Sequence, residues 1–455
     1  MRRLAGCVLA LALGAVGAGA EIGTIDDVPA ATLLLPYFEC ALDENGVPLP
    51  DPTLFSINNA SATAVLAHVT FWTDESIPTL DFDVYLTGYD VQTINICDVF
   101  RGNLPVTASL GQDPKDTISP QGDLSQDVNF ASCSGFLPYT NPAVNATLLN
   151  HLRNAHTGGP STVYGGRCAG FDYDDNVARG YVTVDAVTQC SLEFPSSPAY
   201  WSGIASFQNV LWGDYFYVNP TDNAANGETM VAIEACQPGN GYVGYVGTGT
   251  SGVNTCPFGA GDYTFYGRYV AGLGTDQRES LATTFGTRYL NGGLFTGGTD
   301  LVVWRDSKTV PGAPGAANGP FTCGGNATWF PLNQGDVVAF DEQETPANLC
   351  FQGDNVSPPI GGADTCFPLE AQRVSLQGGN IPGDDPVPPF EFGWMYINLN
   401  TTVAGGLFNP TAQAWVETVM DASGRFSVGY DAVKLDQANQ TFQSASPGGV
   451  ILFPP

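Results

Sequence analysis

Acid–base chemistry near neutral pH falls most often to histidine, and this chain of 455 residues has three: His68, His151 and His156. His68 lies in an alternating run and shares its face with Leu66, Thr70 and Trp72, which reads as a structural position. His151 and His156 stand five apart on a predicted helix, so their side chains diverge by more than a right angle and do not readily share a metal. HExxH, G-x-S-x-G and Walker sequences are absent. Lys115, Lys308 and Lys434 are the only lysines, which leaves phosphate chemistry little to work with. Paired carboxylates, the glycosidase arrangement, remain. Asp81 and Asp83 share one strand face, with Asp74 and Glu75 near the same sheet end. Acids alternating on an outward face also read as solvated surface, and Asp74 and Asp306, each just after a strand, as turn starters. For a hard cation the candidates are Asp172, Asp174 and Asp175, in Asp172-Tyr173-Asp174-Asp175-Asn176. An EF-hand would need Gly at 177 and Glu at 183, where the chain has Val177 and Thr183. Calcium is therefore the one cofactor suggested, and a plain acidic turn is the simpler reading.

The elements that must position these residues are mostly strands. Runs that alternate apolar and polar residues and are rich in Val, Ile, Thr, Tyr and Phe include Leu54–Asn58, Val65–Trp72, Leu80–Leu86, Val91–Ile96, Gly180–Ala186, Tyr215–Val218, Thr229–Glu234, Asp300–Trp304, Asp336–Phe340 and Gly393–Leu399. One helix is predicted over 142–156, capped by Asn141 and ended by Gly158-Gly159. The aromatic runs Tyr200-Trp201 and Trp212-Gly213-Asp214-Tyr215-Phe216-Tyr217 fit either a sugar- or peptide-binding platform or core strands. Alternation places Tyr215 and Tyr217 on one face and Phe216 on the other.

Composition narrows the function classes. Lys and Arg total 15 against 45 Asp and Glu, a formal net charge of −30, which excludes the basic footprint of a nucleic-acid binder. Charged residues make up 13% of the chain, against roughly 25% in ordinary globular domains. With Gly at 55 and Pro at 33, this argues for a turn-rich β-protein over a helix bundle. The first twenty residues read as a secretory signal: Arg2 and Arg3, an apolar stretch from Val8 to Val16, then Ala18-Gly19-Ala20. The lipobox-like Leu4-Ala5-Gly6-Cys7 is displaced, because Cys7 precedes nearly all of the apolar stretch. No later run approaches the roughly 18 apolar residues of a membrane helix. Removing Cys7 leaves ten cysteines: Cys40, Cys97, Cys133, Cys168, Cys190, Cys236, Cys256, Cys323, Cys350 and Cys366. An even set in an exported chain argues for disulfides. Pairs are expected within 40–236 and within 256–366.

An internal repeat sets the domain expectation. Asn59 precedes Trp72 by thirteen residues, and Asn291 precedes Trp304 by thirteen. Trp72-Thr73-Asp74 matches Trp304-Arg305-Asp306. Val84-Tyr85-Leu86 with Asp90-Val91 matches Phe330-Pro331-Leu332 with Asp336-Val337. Gly180–Asp185 matches Gly393–Asn398, and each leads to a further Trp strand, at Trp212 and Trp415. The expected fold is all-β: two duplicated β-sandwich-like domains, 21–240 and 260–455, with loop insertions and one short helix. The first insertion is 101–170, and a Gly-rich linker spans 241–259. Whether the domains share one core is left open by the sequence.

The segments Leu33-Leu34-Leu35-Pro36-Tyr37-Phe38, Thr53-Leu54-Phe55-Ser56, His68-Val69-Thr70-Phe71-Trp72-Thr73-Asp74 and Leu80-Asp81-Phe82-Asp83-Val84-Tyr85-Leu86 resemble a module of secreted, β-rich bacterial proteins. Asn176–Asp185 and the Trp304-Arg305-Asp306 strand are similar to the same family further along. The resemblance implies export from a bacterial cell and assigns no activity. Six Asn-x-Ser/Thr sequons begin at Asn59, Asn145, Asn326, Asn355, Asn400 and Asn439; under a bacterial source they read as chance in an Asn- and Thr-rich surface. The functional expectation is a secreted, non-enzymatic structural, adhesive or binding protein whose partner is a surface glycan or protein. The alternative is a carbohydrate-active hydrolase using paired carboxylates.

Overall fold

The computed structural model describes residues 28–49, 53–105, 133, 135–139, 144–219, 224–236, 264–267, 269, 276–306, 319–324, 332, 335–350, 366–383, 385–399 and 412–435. The signal segment, the Gly-rich linker, Cys256 and the sequons at Asn326, Asn355, Asn400 and Asn439 lie outside these. The described chain is all-β, with three short helices.

The first half holds β1 (Thr32–Ala41), β2 (Thr53–Asn59), β3 (Val65–Thr73), β4 (Pro78–Leu86), β5 (Val91–Asn95), α1 (Ile96–Arg101), α2 (Ala146–His156), β6 (Val177–Val187), α3 (Pro198–Gly203), β7 (Leu211–Trp212), β8 (Asp214–Asn219), β9 (Ala224–Thr229) and β10 (Val231–Ile233). These make an inner sheet in the order β10-β1-β6-β3-β4 and an outer sheet β5-β2-β8-β9, with β7 also on β2. The second half holds β11 (Thr284–Leu290), β12 (Gly298–Arg305), β13 (Val337–Phe340), β14 (Pro346–Leu349), β15 (Ala371–Ser375), β16 (Phe392–Asn398), β17 (Ala414–Asp421), β18 (Ser427–Asp431) and β19 (Val433–Lys434). Its inner sheet runs β15-β12-β17-β18 and its outer sheet β14-β13-β16-β11-β19.

Each half is a sandwich with its own core, and the inner sheets also pack against each other. Along β3, Val65, Ala67, Val69 and Phe71 enter the first core. The alternate residues Leu66 and Trp72 enter a second cluster, which takes in Leu34 and Tyr181 from the first half and Val302, Trp304, Trp415 and Val419 from the second. The two inner sheets thus share one apolar layer, so β3 is buried along its whole length. At the seam Arg278 is fully buried. It donates to Thr32 Oγ1 (2.6 Å) and to the carbonyls of Asp276 (2.9 Å) and Ser206 (2.9 Å). Its Nε stands 3.6 Å from Asp185 Oδ1, and Asp185 also accepts from Thr32, Tyr200 and Tyr266.

The strand pairings of the halves follow the same order. In the first, β2 pairs with β5 and β8, and β3 with β4 and β6. In the second, β11 pairs with β16 and β19, and β12 with β15 and β17. Trp72 and Trp304 occupy matching strands. Asn59 donates to the carbonyl of Thr87 just after β4, and Asn291 to that of Leu376 just after β15. The other matches expected from sequence are corrected. Asp336 precedes β13, which pairs with β14 and β16 and has no counterpart to β5. The Gly180 strand, β6, corresponds to β17, so Tyr181 opposite Trp72 answers Trp415 opposite Trp304. Trp212, on β7 beside β2, does not match Trp415. Alternation shows that a strand is buried but not which sheet it joins.

Three further expectations change. The helix begins at Ala146 and is capped by Asn145, whose side chain accepts from Leu148 N–H, not by Asn141. Two short helices were not anticipated, although both carry start signals: Asn95 caps α1, and Ser197 followed by Pro198 caps α3. Disulfides join Cys40–Cys97, Cys133–Cys190 and Cys350–Cys366 within halves, but Cys168–Cys323 joins one half to the other. Cys236 is bonded as well. Even counts on both sides of a boundary do not prevent a crossing pair. The backbone around Cys168 bridges to Phe321 through mutual hydrogen bonds of 3.0 and 2.9 Å, bringing the two loops together.

Replacing Arg278 with Met leaves the Asp185 carboxylate buried without its guanidinium partner. It is expected to cost about 3–5 kcal/mol in denaturant unfolding, with the Arg278→Met/Asp185→Asn pair costing less than the sum of the two single changes.

Candidate functional site

The residues with chemical potential fall into three places, and the strand pleat decides which. On the seam-facing side of the first inner sheet, the register aligns Thr32, Asp185, His68 and Asp83 across β1, β6, β3 and β4. Thr183, Thr70 and Asp81 form the next row. His68 Nδ1 contacts Asp83 Oδ1 at 2.9 Å, and its Nε2 lies 3.7 Å from Asp81 Oδ2. Asp83 also accepts from Ser191 N–H, and the Tyr200 ring lies over His68. Asp83 is fully buried and Asp81 is 8% exposed, which corrects the expectation of a solvated outward face. Both faces of this sheet are covered, and over Asp83 the cover comes from the first half's own chain, at Leu137 and Ser191. Burial opposes charge on the His68 ring, but Asp83, Asp81 and Asp185 hold its pKa above the ordinary value. Burial pushes Asp81 up to about 6. The arrangement is an internal ion-pair ladder that braces three strands.

Asp74 and Asp306 are buried too; Asp74 sits in the turn after β3, which Ser76 N–H closes onto the Thr73 carbonyl. Asp74 accepts from Phe171 N–H through its side chain (3.1 Å) and from Glu370 N–H, across the seam, through its carbonyl (2.9 Å). His151 bonds Ser161 Oγ (2.7 Å). His156 bonds the Arg179 carbonyl and Thr79 Oγ1, and burial lowers its pKa to about 3. The Asn59 sequon is not surface either: its side chain is buried and bonded to the carbonyls of Thr63 and Thr87.

The second place is the acidic turn. Both oxygens of Asp175 are taken by Arg179, at 2.9 and 2.6 Å, and the Arg179 guanidinium lies 4.0 Å over the Tyr173 ring. Partial burial would raise the Asp175 pKa, but the Arg179 bonds and the Val177 N–H bring it below the ordinary value. Asp172 accepts from Asp174 N–H in a local turn. The structure therefore does not converge Asp172, Asp174 and Asp175. Among the described residues no group of three or more His, Cys, Asp or Glu is placed to hold a metal.

The third place is the solvent face of the first outer sheet. Tyr215, Tyr200 and Trp201 are buried, so those aromatics are core. Trp212 and Phe216, on the opposite side of the β7–β8 strand line, remain 43% and 46% exposed. Trp212 is in register with Asn58 and Phe216 with Leu54. The two rings therefore stand about 13 Å apart along the sheet, at roughly 3.3 Å per residue. Gly227 opposite Phe216 leaves room for the ring, since a β-carbon there would sit 2.5 Å from it. The pleat that sets Tyr215 and Phe216 on opposite faces was legible in the sequence. What was not legible is which of the two faces the core would claim.

No family model, curated protein or solved structure matches the chain.

Glu417 of β17 is a buried acid that sequence reasoning missed. Its Oε2 accepts from Tyr215 OH across the seam (2.8 Å), its Oε1 has no partner, and burial pushes its pKa up to about 8. A carboxyl whose folded pKa lies above its unfolded value contributes stability that is fully present below the unfolded pKa and lost as pH rises through the folded one. Asp81 and Asp276, each pushed up to about 6 by burial, act in the same sense. Above about pH 7, where His156, lowered to about 3 by burial, no longer acts in the opposite sense, the melting temperature is therefore expected to fall towards pH 9. Glu417→Gln, which still accepts from Tyr215, should remove part of that fall, and an unchanged slope would contradict the assignment. With Asp175 committed to Arg179, melting curves in calcium and in chelator are expected to coincide.

Proposed function

We propose that the chain is a secreted, non-enzymatic binding protein of the bacterial surface that engages a glycan through the exposed face of its first outer sheet. The observation that carries this reading is the pair Trp212 and Phe216. Two large rings presented on one face of a sheet offer flat apolar surfaces, and ring faces pack well on the C–H faces of sugars. Their separation of about 13 Å along the sheet suits neighbouring units of an extended chain. Asn58 and Ser56 hold the strand line in place from beneath, Asn58 donating to the Trp212 carbonyl and Ser56 Oγ accepting from Asp214 N–H. The net charge of −30 favours a neutral glycan over an acidic one. Export is supported by the disulfides and by the signal-like N-terminus; among the described residues no helix is long and apolar enough to cross a membrane. The hydrolase alternative gains no support from Asp81 and Asp83, which are buried and occupied by His68.

Retention on insoluble neutral polysaccharides, with assay of released reducing ends, tests the proposal. Trp212→Ala and Phe216→Ala are each expected to weaken retention by about 0.5–1.5 kcal/mol while leaving the melting temperature nearly unchanged. Release of reducing ends, or full retention by the double variant, would overturn it.

A further inference from the structure

A second surface lies at the seam, on the other side of β8 from Phe216. There a cleft of ≈ 160 Å³ opens between the sandwiches, with Tyr37, Glu39, Tyr217 and Asn226 from the first half and Arg373 and Asp421 from the second. Its volume has room for on the order of ten water molecules, the bulk of one pyranose ring with its hydroxyls and not of an oligosaccharide.

The cleft is lined by hydrogen-bonding groups the protein itself leaves unused. Asn226 Nδ2 is a buried donor with no acceptor. Arg373 spends its Nε on Asp300 (2.8 Å), and no acceptor among the described residues takes its two terminal amino groups. Glu39 takes Tyr37 OH on one oxygen (2.7 Å) and has a second oxygen to offer. Arg373 and Glu39 feel each other electrostatically yet form no ion pair. Spare donors and a spare acceptor therefore share one small space. A hydroxyl both donates and accepts, so adjacent hydroxyls satisfy the two kinds at once. A carboxylate would meet Glu39 and Asp421, and an ammonium would meet Arg373.

We propose that this cleft binds a single neutral sugar residue through its adjacent hydroxyls, with Asn226 and Arg373 donating and Glu39 accepting. The site is independent of the Trp212–Phe216 face, so either proposal can fail without the other.

The test is calorimetric titration of the full mature chain, disulfides intact, with glucose, galactose, mannose and N-acetylglucosamine. Glucuronate and glycine serve as charged comparisons. At least one neutral sugar is expected to bind one-to-one. Asn226→Ala and Arg373→Gln should each weaken it about tenfold, the loss of one hydrogen bond to a charged or buried group, while Trp212→Ala leaves the affinity unchanged. Arg373 is partly exposed, so Arg373→Gln keeps the test decisive if Asn226→Ala fails to fold. The proposal is overturned if no neutral sugar binds, which would leave the cleft to water, or if a charged comparison binds more tightly. Affinity unaltered in both cleft variants would overturn it equally.

Discussion

The architecture turns on burying Arg278 beside Asp185. A guanidinium removed from water is tolerable only if its charge is matched and its donors are used. Here the match is made between halves: Arg278 precedes the second sandwich, while Asp185, Thr32 and Ser206 belong to the first. The pair fixes how the inner sheets meet, because Asp185 is held by four neighbours and shifting the seam would strand it. The aromatic layer of Trp72, Tyr181, Trp304 and Trp415 then closes around this polar centre.

That constraint explains why an acidic protein places so many carboxylates out of solvent. Asp81, Asp83, Asp185 and Glu417 all lie on inner-sheet faces turned away from the two sandwich cores; Asp185 and Glu417 meet residues of the opposite half there, and Asp83 meets Ser191 of its own. Each has a partner from a neighbouring strand or from the other half: His68 for Asp81 and Asp83, Arg278 and two tyrosines for Asp185, Tyr215 for Glu417. The groups that look catalytic in sequence are engaged in buried contacts within the first half: His68 with Asp81 and Asp83, His151 with Ser161, His156 with Thr79. The outer aromatic face and the seam cleft lie on opposite sides of β8.

The crossing disulfide reinforces the same seam at its periphery. Cys168–Cys323 closes a loop of 155 residues, and long closed loops restrict the unfolded chain most in the entropic account. Together with the shared apolar layer, it makes the halves one cooperative body in which neither inner sheet could be exposed without uncovering Trp72 or Trp304.

By itself the sequence determined the local grammar. Strand alternation and the matched spacing Asn59–Trp72 and Asn291–Trp304 follow from neighbours along the chain, where periodicity acts; the caps at Asn95, Asn145 and Ser197 are local too, although the sequence reading expected one helix capped at Asn141. The placement of His68 on a structural face was legible for the same reason. Only the tertiary structure decided which strand joined which sheet, so Gly180 was matched to Gly393 when β6 answers β17. It also decided that Asp81 and Asp83 are buried against His68, with Ser191 of their own half on Asp83, instead of facing water, and that Asp175 belongs to Arg179. A strand's pattern records that a face is covered or polar. What covers it depends on residues hundreds of positions away, such as Arg278 against Thr32, and no local period carries that information.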